Sequence, residues 1–258
     1  MALDEQNAVR AQYAAPDRLN RRISLHEKYS VNRQGFGNWI VSHYRLEEGM
    51  AVLELGCGSG KMWAGRESLI KKCAPLLLSD FSEGMLLEAK ETLRGQEGIE
   101  FQVIDMQSIP FADHTFDAVI ANMMLYHVPD IEKALSEAKR VLKPGGTFYS
   151  ATYGEHGILE FLCGLFQQEG VRDSGNHSFT LQNGKSQLQA FFSDVRRYDY
   201  QDTLSITDAE DMADYMFSLT GLTRLRQLPR ETVVSVLKAH MVEGVLHVPK
   251  EYGMFVSK

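Results

Sequence analysis

The stretch of sequence that decides the fold is MAVLELGCGSGKM, residues 50–62. Its first half, Met50–Leu55, is a short apolar run typical of a buried β-strand. Glycines then stand at alternate positions, Gly56, Gly58 and Gly60. They predict a tight turn whose backbone N–H groups are open to a ligand, because no Cβ covers them.

The spacing of this glycine loop differs from two common nucleotide-binding loops. A phosphate-binding NTPase loop needs a glycine where this chain has Leu55 and a Ser or Thr where it has Met62. A dinucleotide-binding loop needs a third glycine where Lys61 stands. The first interpretation fails at two positions. The second, that of an NAD(P)-dependent oxidoreductase, is weakened but stays open.

Strand-like and helix-like segments alternate on the C-terminal side of the loop. Strands are predicted near residues 75–79, 99–104, 116–121 and 146–152, with helices near 61–72, 82–93 and 130–142. This alternation predicts an α/β fold, a doubly wound and mainly parallel Rossmann-like sheet with helices on both faces.

The second half of the chain is less regular, but no Gly/Ser/Pro-rich linker divides it. Segments 195–205 and 252–257 resemble the last two strands, and their separation of roughly 45 residues far exceeds a hairpin loop. We expect a single domain over residues 1–258. Its parts are an N-terminal helical cap (1–48), a Rossmann-like core (49–206 and 250–258) and a helical insertion (207–249).

Composition narrows the class of protein. Of 258 residues, 27 are Lys or Arg and 34 are Asp or Glu, and the net charge of -7 argues against a nucleic-acid partner. The apolar stretch 118–129 is too short to span a membrane, and the N-terminus lacks the pattern of a signal peptide. The three cysteines have no metal-ligand spacing, so no bound metal is expected, and their odd number favours a reducing cytoplasm. No membrane partner is expected either.

Three segments together resemble a known family. ELGCGSG, at residues 54–60, resembles motif I of the class I S-adenosylmethionine-dependent methyltransferases. PFADHTFDAV, at 110–119, and LKPGG, at 142–146, are similar to segments before the fourth and fifth strands of ubiquinone-biosynthesis-like small-molecule methyltransferases. The resemblance implies a seven-stranded sheet with an antiparallel last pair, and S-adenosylmethionine as the cofactor.

The resemblance also implies a role for particular residues. Glu54 would accept a hydrogen bond from the cofactor's ammonium group, and Asp80, after the second strand, would bind the ribose hydroxyls. Asp105, after the third strand, would bind the adenine amine, with the backbone N–H of Met106 on the ring. The expected cofactor-binding residues are Tyr29, Glu54, Gly56, Cys57, Gly58, Asp80, Phe81, Met85, Asp105, Met106, Asn122 and His127.

The segment after the fourth strand, ANMMLYHV at 121–128, bears on the acceptor. It lacks the Pro-Pro motif of methyltransferases that act on bases, and its apolar residues favour a small-molecule acceptor. His127 is the candidate catalytic residue, a general base whose ordinary pKa lies near neutral pH. The reaction expected is in-line displacement that releases S-adenosylhomocysteine.

The cap and the insertion would roof the acceptor pocket. The candidate lining residues are Tyr215, Phe217, Leu222, Leu225 and Met241. Besides the oxidoreductase, two alternatives stay open. One is a non-catalytic binding protein that retains the fold, and the other is a protein-substrate methyltransferase, which would need an open groove.

Overall fold

A computed structural model of the protein describes residues 16–219 and 221–258, with side chains from Arg22 onward. One sheet holds seven strands. They are β1 (Met50–Leu55), β2 (Cys73–Asp80), β3 (Ile99–Val103), β4 (Phe116–Asn122), β5 (Leu142–Tyr153), β6 (Val195–Ile206) and β7 (Leu246–Ser257).

The strand order in this sheet is β3-β2-β1-β4-β5-β7-β6. Strands β1 to β5 pair in parallel, and β7 runs antiparallel between β5 and β6. The chain therefore winds in opposite directions from the β1–β4 pair. At such a switch point the carboxyl ends of the strands leave a crevice for ligands. The predicted fold class is confirmed.

Helices pack around the sheet. They are α1 (Pro16–Tyr29), α2 (Phe36–Ser42), α3 (Glu67–Ile70), α4 (Glu83–Thr92), α5 (Ile131–Val141), α6 (Ile158–Leu165), α7 (Gly184–Gln189), α8 (Ala209–Ser218) and α9 (Arg230–Ala239). Ser82 caps α4 as predicted, accepting from the Met85 backbone N–H at 3.4 Å.

The helix predicted over 61–72 is largely wrong. Residues 61–65 form turns, and only the short α3 is helical. Gly65 has a φ of 70°, in the left-handed region, and a helix cannot continue through that conformation.

Apolar side chains form a core on each face of the sheet and a third cluster under the helices α1, α6, α8 and α9, which are called here the roof. The third cluster joins α1, α6, α8 and α9 to the outer halves of β6 and β7. Strand β7 begins at Leu246, earlier than the predicted core boundary at residue 250. Residues 246–249 pair with 203–206 of β6, so the segment between the two strands is 207–245.

A buried ion pair joins β6 to β7 at the place where the segment after α1 packs on the sheet. Lys250 Nζ lies 2.7 Å from Asp202 Oδ2, and the two side chains are 2% and 0% exposed. The Ser30 hydroxyl also donates to Asp202, and Ser30 bridges to Leu204. The segment after α1 is therefore fixed against β6.

No helix in the described part of the chain has the length and apolar character needed to cross a bilayer. Within the same residues, no group of three or more His, Cys, Asp or Glu side chains is arranged to hold a metal ion.

Candidate active site

The glycine loop after β1 has the backbone that its sequence predicts. Gly56, Gly58 and Gly60 have φ values of 72°, 57° and 73°, which side chains disfavour. A Cβ on Gly56 would lie 2.9 Å from Met124 Cβ, and one on Gly60 would lie 3.0 Å from Leu93. Gly60 therefore serves close packing against α4 and Gly56 close packing against Met124, whereas a Cβ on Gly58 would meet only Met85 Cε, at 3.7 Å.

A cleft of about 240 Å³ lies at the carboxyl ends of β1 to β4. Nine of the twelve expected cofactor-binding residues line it, namely Gly56, Gly58, Asp80, Phe81, Met85, Asp105, Met106, Asn122 and His127. Sequence positions from 56 to 127 thus converge on one crevice, because the strand ends that carry them meet at one edge of the sheet.

Two carboxylates, those of Asp80 and Asp105, line this cleft. Asp80 accepts from the backbone N–H groups of Ser82, at 2.8 Å, and Gly58, at 3.0 Å. Burial raises the pKa of Asp80, although both backbone bonds oppose that shift. Asp105 accepts from the Gln107 backbone N–H at 2.9 Å. Each carboxylate retains lone pairs for a ligand.

Glu54 and Cys57 line a second and larger cavity. Glu54 Oε2 accepts from Trp63 Nε1 at 2.5 Å. Burial raises the pKa of Glu54 to about 7, and hydrogen bonds from Trp63 and Asn122 oppose that shift. The Asn122 amide nitrogen donates to the Tyr44 hydroxyl at 2.6 Å, while its Oδ1 is buried without a partner. That oxygen is a buried acceptor whose hydrogen-bonding capacity is unused.

The larger cavity has a volume of about 1290 Å³ and is named here the chamber. It shares Gly56, Gly58, Asn122, Met123 and His127 with the cleft, so the two spaces adjoin. Met123 has a φ of 53°, which is strained for a side chain of this kind. The strain turns the chain sharply at the end of β4, where cleft and chamber meet.

His127 lies at this junction and differs from the sequence expectation in its acidity. Burial lowers the pKa of His127 to about 4, and the nearby Arg22 guanidinium adds to that shift. The imidazole is therefore neutral at neutral pH, but it is a weak base.

Tyr29 is not part of the site in this structure. Its hydroxyl donates to Asp211 Oδ2 at 2.6 Å, and its ring is buried between α1 and α8. It lines neither the cleft nor the chamber. The structure therefore gives no support to the expected contact with the cofactor's carboxylate, which stays a prediction, because the apolar face of α1 packs on α8.

The expected lining of the roof is also mostly wrong. Tyr215 lines the chamber, whereas Phe217, Leu222, Leu225 and Met241 pack into the third core cluster. Sequence reasoning missed the chamber residues Arg22, His26, Tyr153, His177 and Tyr252. They come from four separate segments, since Arg22 and His26 both lie on α1, and no local pattern joins these segments.

The composition of the cleft tests which cofactor it fits. Its lining, within the described part of the chain, contains carboxylates but neither Lys nor Arg. A pyrophosphate would find no cation there, whereas an adenosine with a cationic sulfonium meets acids and apolar walls. The unpartnered Asn122 Oδ1 adds an acceptor at the junction with the chamber. The residues therefore fit S-adenosylmethionine better than a dinucleotide.

The sheet order, the glycine loop and the acids at the ends of β2 and β3 have the arrangement that the resemblance to class I S-adenosylmethionine-dependent methyltransferases implies. Comparison with known proteins agrees. Residues 53–150 match the methyltransferase domain family.

One relative is the demethylmenaquinone methyltransferase of Staphylococcus aureus. It is 35% identical over 130 residues, which cover 50% of this chain and 52% of that protein. The chain thus matches about half the length of its curated relatives.

Two solved structures share the fold. YcgJ from Bacillus subtilis has a TM-score of 0.59 at 18% identity, over 85% of this chain and 96% of that one. Phosphoethanolamine N-methyltransferase 2 of Haemonchus contortus, in complex with S-adenosyl-L-methionine, has a TM-score of 0.54 at 18% identity. That match covers 86% of this chain and 51% of the other.

Proposed function

We propose that this protein transfers a methyl group from S-adenosylmethionine to a small-molecule acceptor by in-line displacement, releasing S-adenosylhomocysteine. One observation carries the proposal: an acidic, cation-free cleft at the switch point adjoins a much larger chamber through Asn122, Met123 and His127. The first space has the chemistry for the cofactor, and the second has room for an acceptor under a roof.

Residues at the ends of β2 and β3 would hold the nucleoside. Asp80, already fixed by two backbone N–H groups, would accept from the ribose hydroxyls. Asp105 would accept from the adenine amine, with the Met106 backbone N–H on the ring. Phe81 and Met85 would form apolar walls, since both line the cleft.

The loop after β1 would hold the amino-acid tail. Glu54 and the unpartnered Asn122 Oδ1 would provide acceptors for an ammonium group. The loop residues Gly56, Cys57 and Gly58 line the same space. S-adenosylmethionine, when bound, supplies a methyl group already activated by the sulfonium. The protein's part is to orient the acceptor and exclude water, and orientation can contribute roughly 7–11 kcal/mol.

His127 would orient the acceptor as a neutral imidazole. A group with a pKa of about 4 takes a proton poorly at neutral pH, so general-base catalysis is the weaker of its two possible roles. We also propose that the enzyme works in the cytoplasm, a proposal supported by its three unpaired cysteines.

Calorimetric titration with S-adenosylmethionine, S-adenosylhomocysteine and NADH, each separately, tests the function. We expect micromolar binding of the first two and none of NADH. Asp80→Ala should weaken binding of S-adenosylhomocysteine by about 10–100-fold, because hydrogen bonds to a charged group contribute about 1.5–3 kcal/mol. Circular dichroism checks that the variant folds.

Glu97→Ala is the matched control, since Glu97 is exposed and removes the same charge away from the cleft. Normal affinity in Asp80→Ala would reject the ribose role. Binding of NADH alone would overturn the proposed function.

A further inference from the structure

The chamber contains buried polar atoms that the protein itself leaves without partners. Arg22 Nε, His26 Nδ1 and His177 Nδ1 are buried and make no hydrogen bond, and all three residues line the chamber. Leaving such a group unpaired destabilises the folded state, because its hydrogen bonds to water are lost without replacement. Together the three side chains give the chamber a polar wall that suits a polar ligand.

Arg22 is the charged member of this set. No carboxylate of the described residues lies within 4.0 Å of its guanidinium. Lys250, which lines the same chamber, is by contrast paired with Asp202. The Arg22 charge acts on three groups around it: it adds to the lowering of the His127 pKa, and it opposes the rise that burial causes in the pKa values of Tyr215 and Tyr252. Its charge therefore lies inside the chamber, close to the junction with the cleft.

Aromatic rings form much of the wall around this charge. The ring of His26 lies 5.7 Å from that of Tyr215, edge to face, and 5.7 Å from that of Tyr252. Tyr126 and Tyr153 have ring centroids 4.8 Å apart on the side next to His127. Such rings favour edge and offset contacts with another flat ring.

We propose that the acceptor is an aromatic carboxylic acid whose carboxylate pairs with Arg22 and whose ring lies among the chamber's tyrosines. The inference deepens the proposed function and rests on it. A guanidinium matches a carboxylate with two parallel N–H···O bonds, and Arg22 lines the chamber with no carboxylate partner among the described residues. A neutral quinol would leave the same guanidinium unpaired.

The size of the chamber fits such an acceptor. Ligand pockets usually enclose roughly 300–1,000 Å³, and the chamber, at about 1290 Å³, exceeds that range. It therefore has room for a fused two-ring acid, and a probe of that size is appropriate.

The test uses the full chain saturated with S-adenosylhomocysteine. Calorimetry compares 1-hydroxy-2-naphthoate with its methyl ester and with 1-naphthol. We expect the acid to bind at least tenfold more tightly than either neutral probe. In Arg22→Gln the acid should lose at least tenfold in affinity while the ester is unchanged, and Arg22→Lys should recover part of the loss.

Arg94→Gln is the matched control, since it removes the same charge from an exposed side chain outside the chamber. Equal binding of acid and ester, or unchanged acid affinity in Arg22→Gln, would overturn the acceptor class while binding of S-adenosylhomocysteine still supported the proposed function. Tighter binding of 1-naphthol than of the acid would point to a neutral phenol or quinol instead. Absence of S-adenosylhomocysteine binding would overturn the proposed function itself.

Discussion

At the scale of single residues, Glu54 has the most unusual environment near the cleft. It is a carboxyl group that is 2% exposed, and the Trp63 indole is its close donor. Burial raises its pKa to about 7, so near neutral pH it is divided between its protonated and ionised forms. An ammonium group beside it would favour the ionised form, because opposite charges lower a carboxyl pKa.

This environment predicts a pH dependence of cofactor binding. Below about pH 7 Glu54 must lose a proton before it can face an ammonium, so affinity for S-adenosylhomocysteine should fall by up to tenfold per pH unit as pH decreases. Calorimetry between about pH 5.5 and 7.5 measures this slope.

Glu54→Gln should bind more weakly at pH 7.5 and show a flattened slope, whereas Glu97→Gln should behave as the unmodified protein. An affinity that stays constant over this range would show that Glu54 does not pair with the ammonium.

At the scale of elements, the long β6–β7 ladder supports both the sheet and the roof. Asp202 and Lys250 are direct partners in its register, and their ion pair is buried where Ser30 joins them. Burial would raise the pKa of Asp202, but Lys250 and Ser30 outweigh it and lower that pKa. The pair therefore connects the segment after α1 to both strands.

Breaking this pair should destabilise the protein more than removing it. Lys250→Met leaves an unpaired buried carboxylate, and we expect a loss of about 3–5 kcal/mol in the free energy of unfolding. Urea unfolding measures it. The double variant Asp202→Asn, Lys250→Met should recover most of the loss.

Lys185→Met, at an exposed position of α7, is the control and should change stability little. A loss under about 1 kcal/mol in Lys250→Met would mean that Asp202 is solvated or protonated without its partner.

At the scale of the whole molecule, the cleft collects residues from Leu55 to Pro129, whereas the chamber extends from Arg22 to Tyr252. A ligand in the cleft contacts the ends of four strands that unfolding would separate. Binding to the folded state alone must therefore stabilise the fold.

We expect S-adenosylhomocysteine at a hundred times its dissociation constant to add about 2.7 kcal/mol of stability. In a chain of this size each 1 kcal/mol corresponds to roughly 2–4 °C, so the melting temperature should rise by roughly 5–11 °C. Differential scanning fluorimetry measures it, with NADH as the negative ligand. The Asp80→Ala variant should show a much smaller rise at the same concentration, and a full rise would again argue against the ribose role.

Local sequence patterns are sufficient to predict the strands and the loop that form the cleft. The apolar run of β1, the glycines after it, and Asp80 and Asp105 at strand ends are local patterns. Their positions follow because parallel strands carry their carboxyl ends to one edge. Ser82 and Asp208 cap their helices through equally local contacts, since a cap depends on a side chain and the backbone within three residues of it.

The position of Tyr29, the start of β7 and the chamber depend on contacts between segments that are distant in the sequence. Nothing local showed that Tyr29 would bond to Asp211, or that β7 would begin at Leu246, because both depend on contacts with distant segments. The chamber depends on the same kind of contact: Arg22 and His177 face one space because the roof packs on the β6–β7 ladder. Strand periodicity and turn chemistry are properties of neighbouring residues, whereas a cavity is a property of how separate elements fill space.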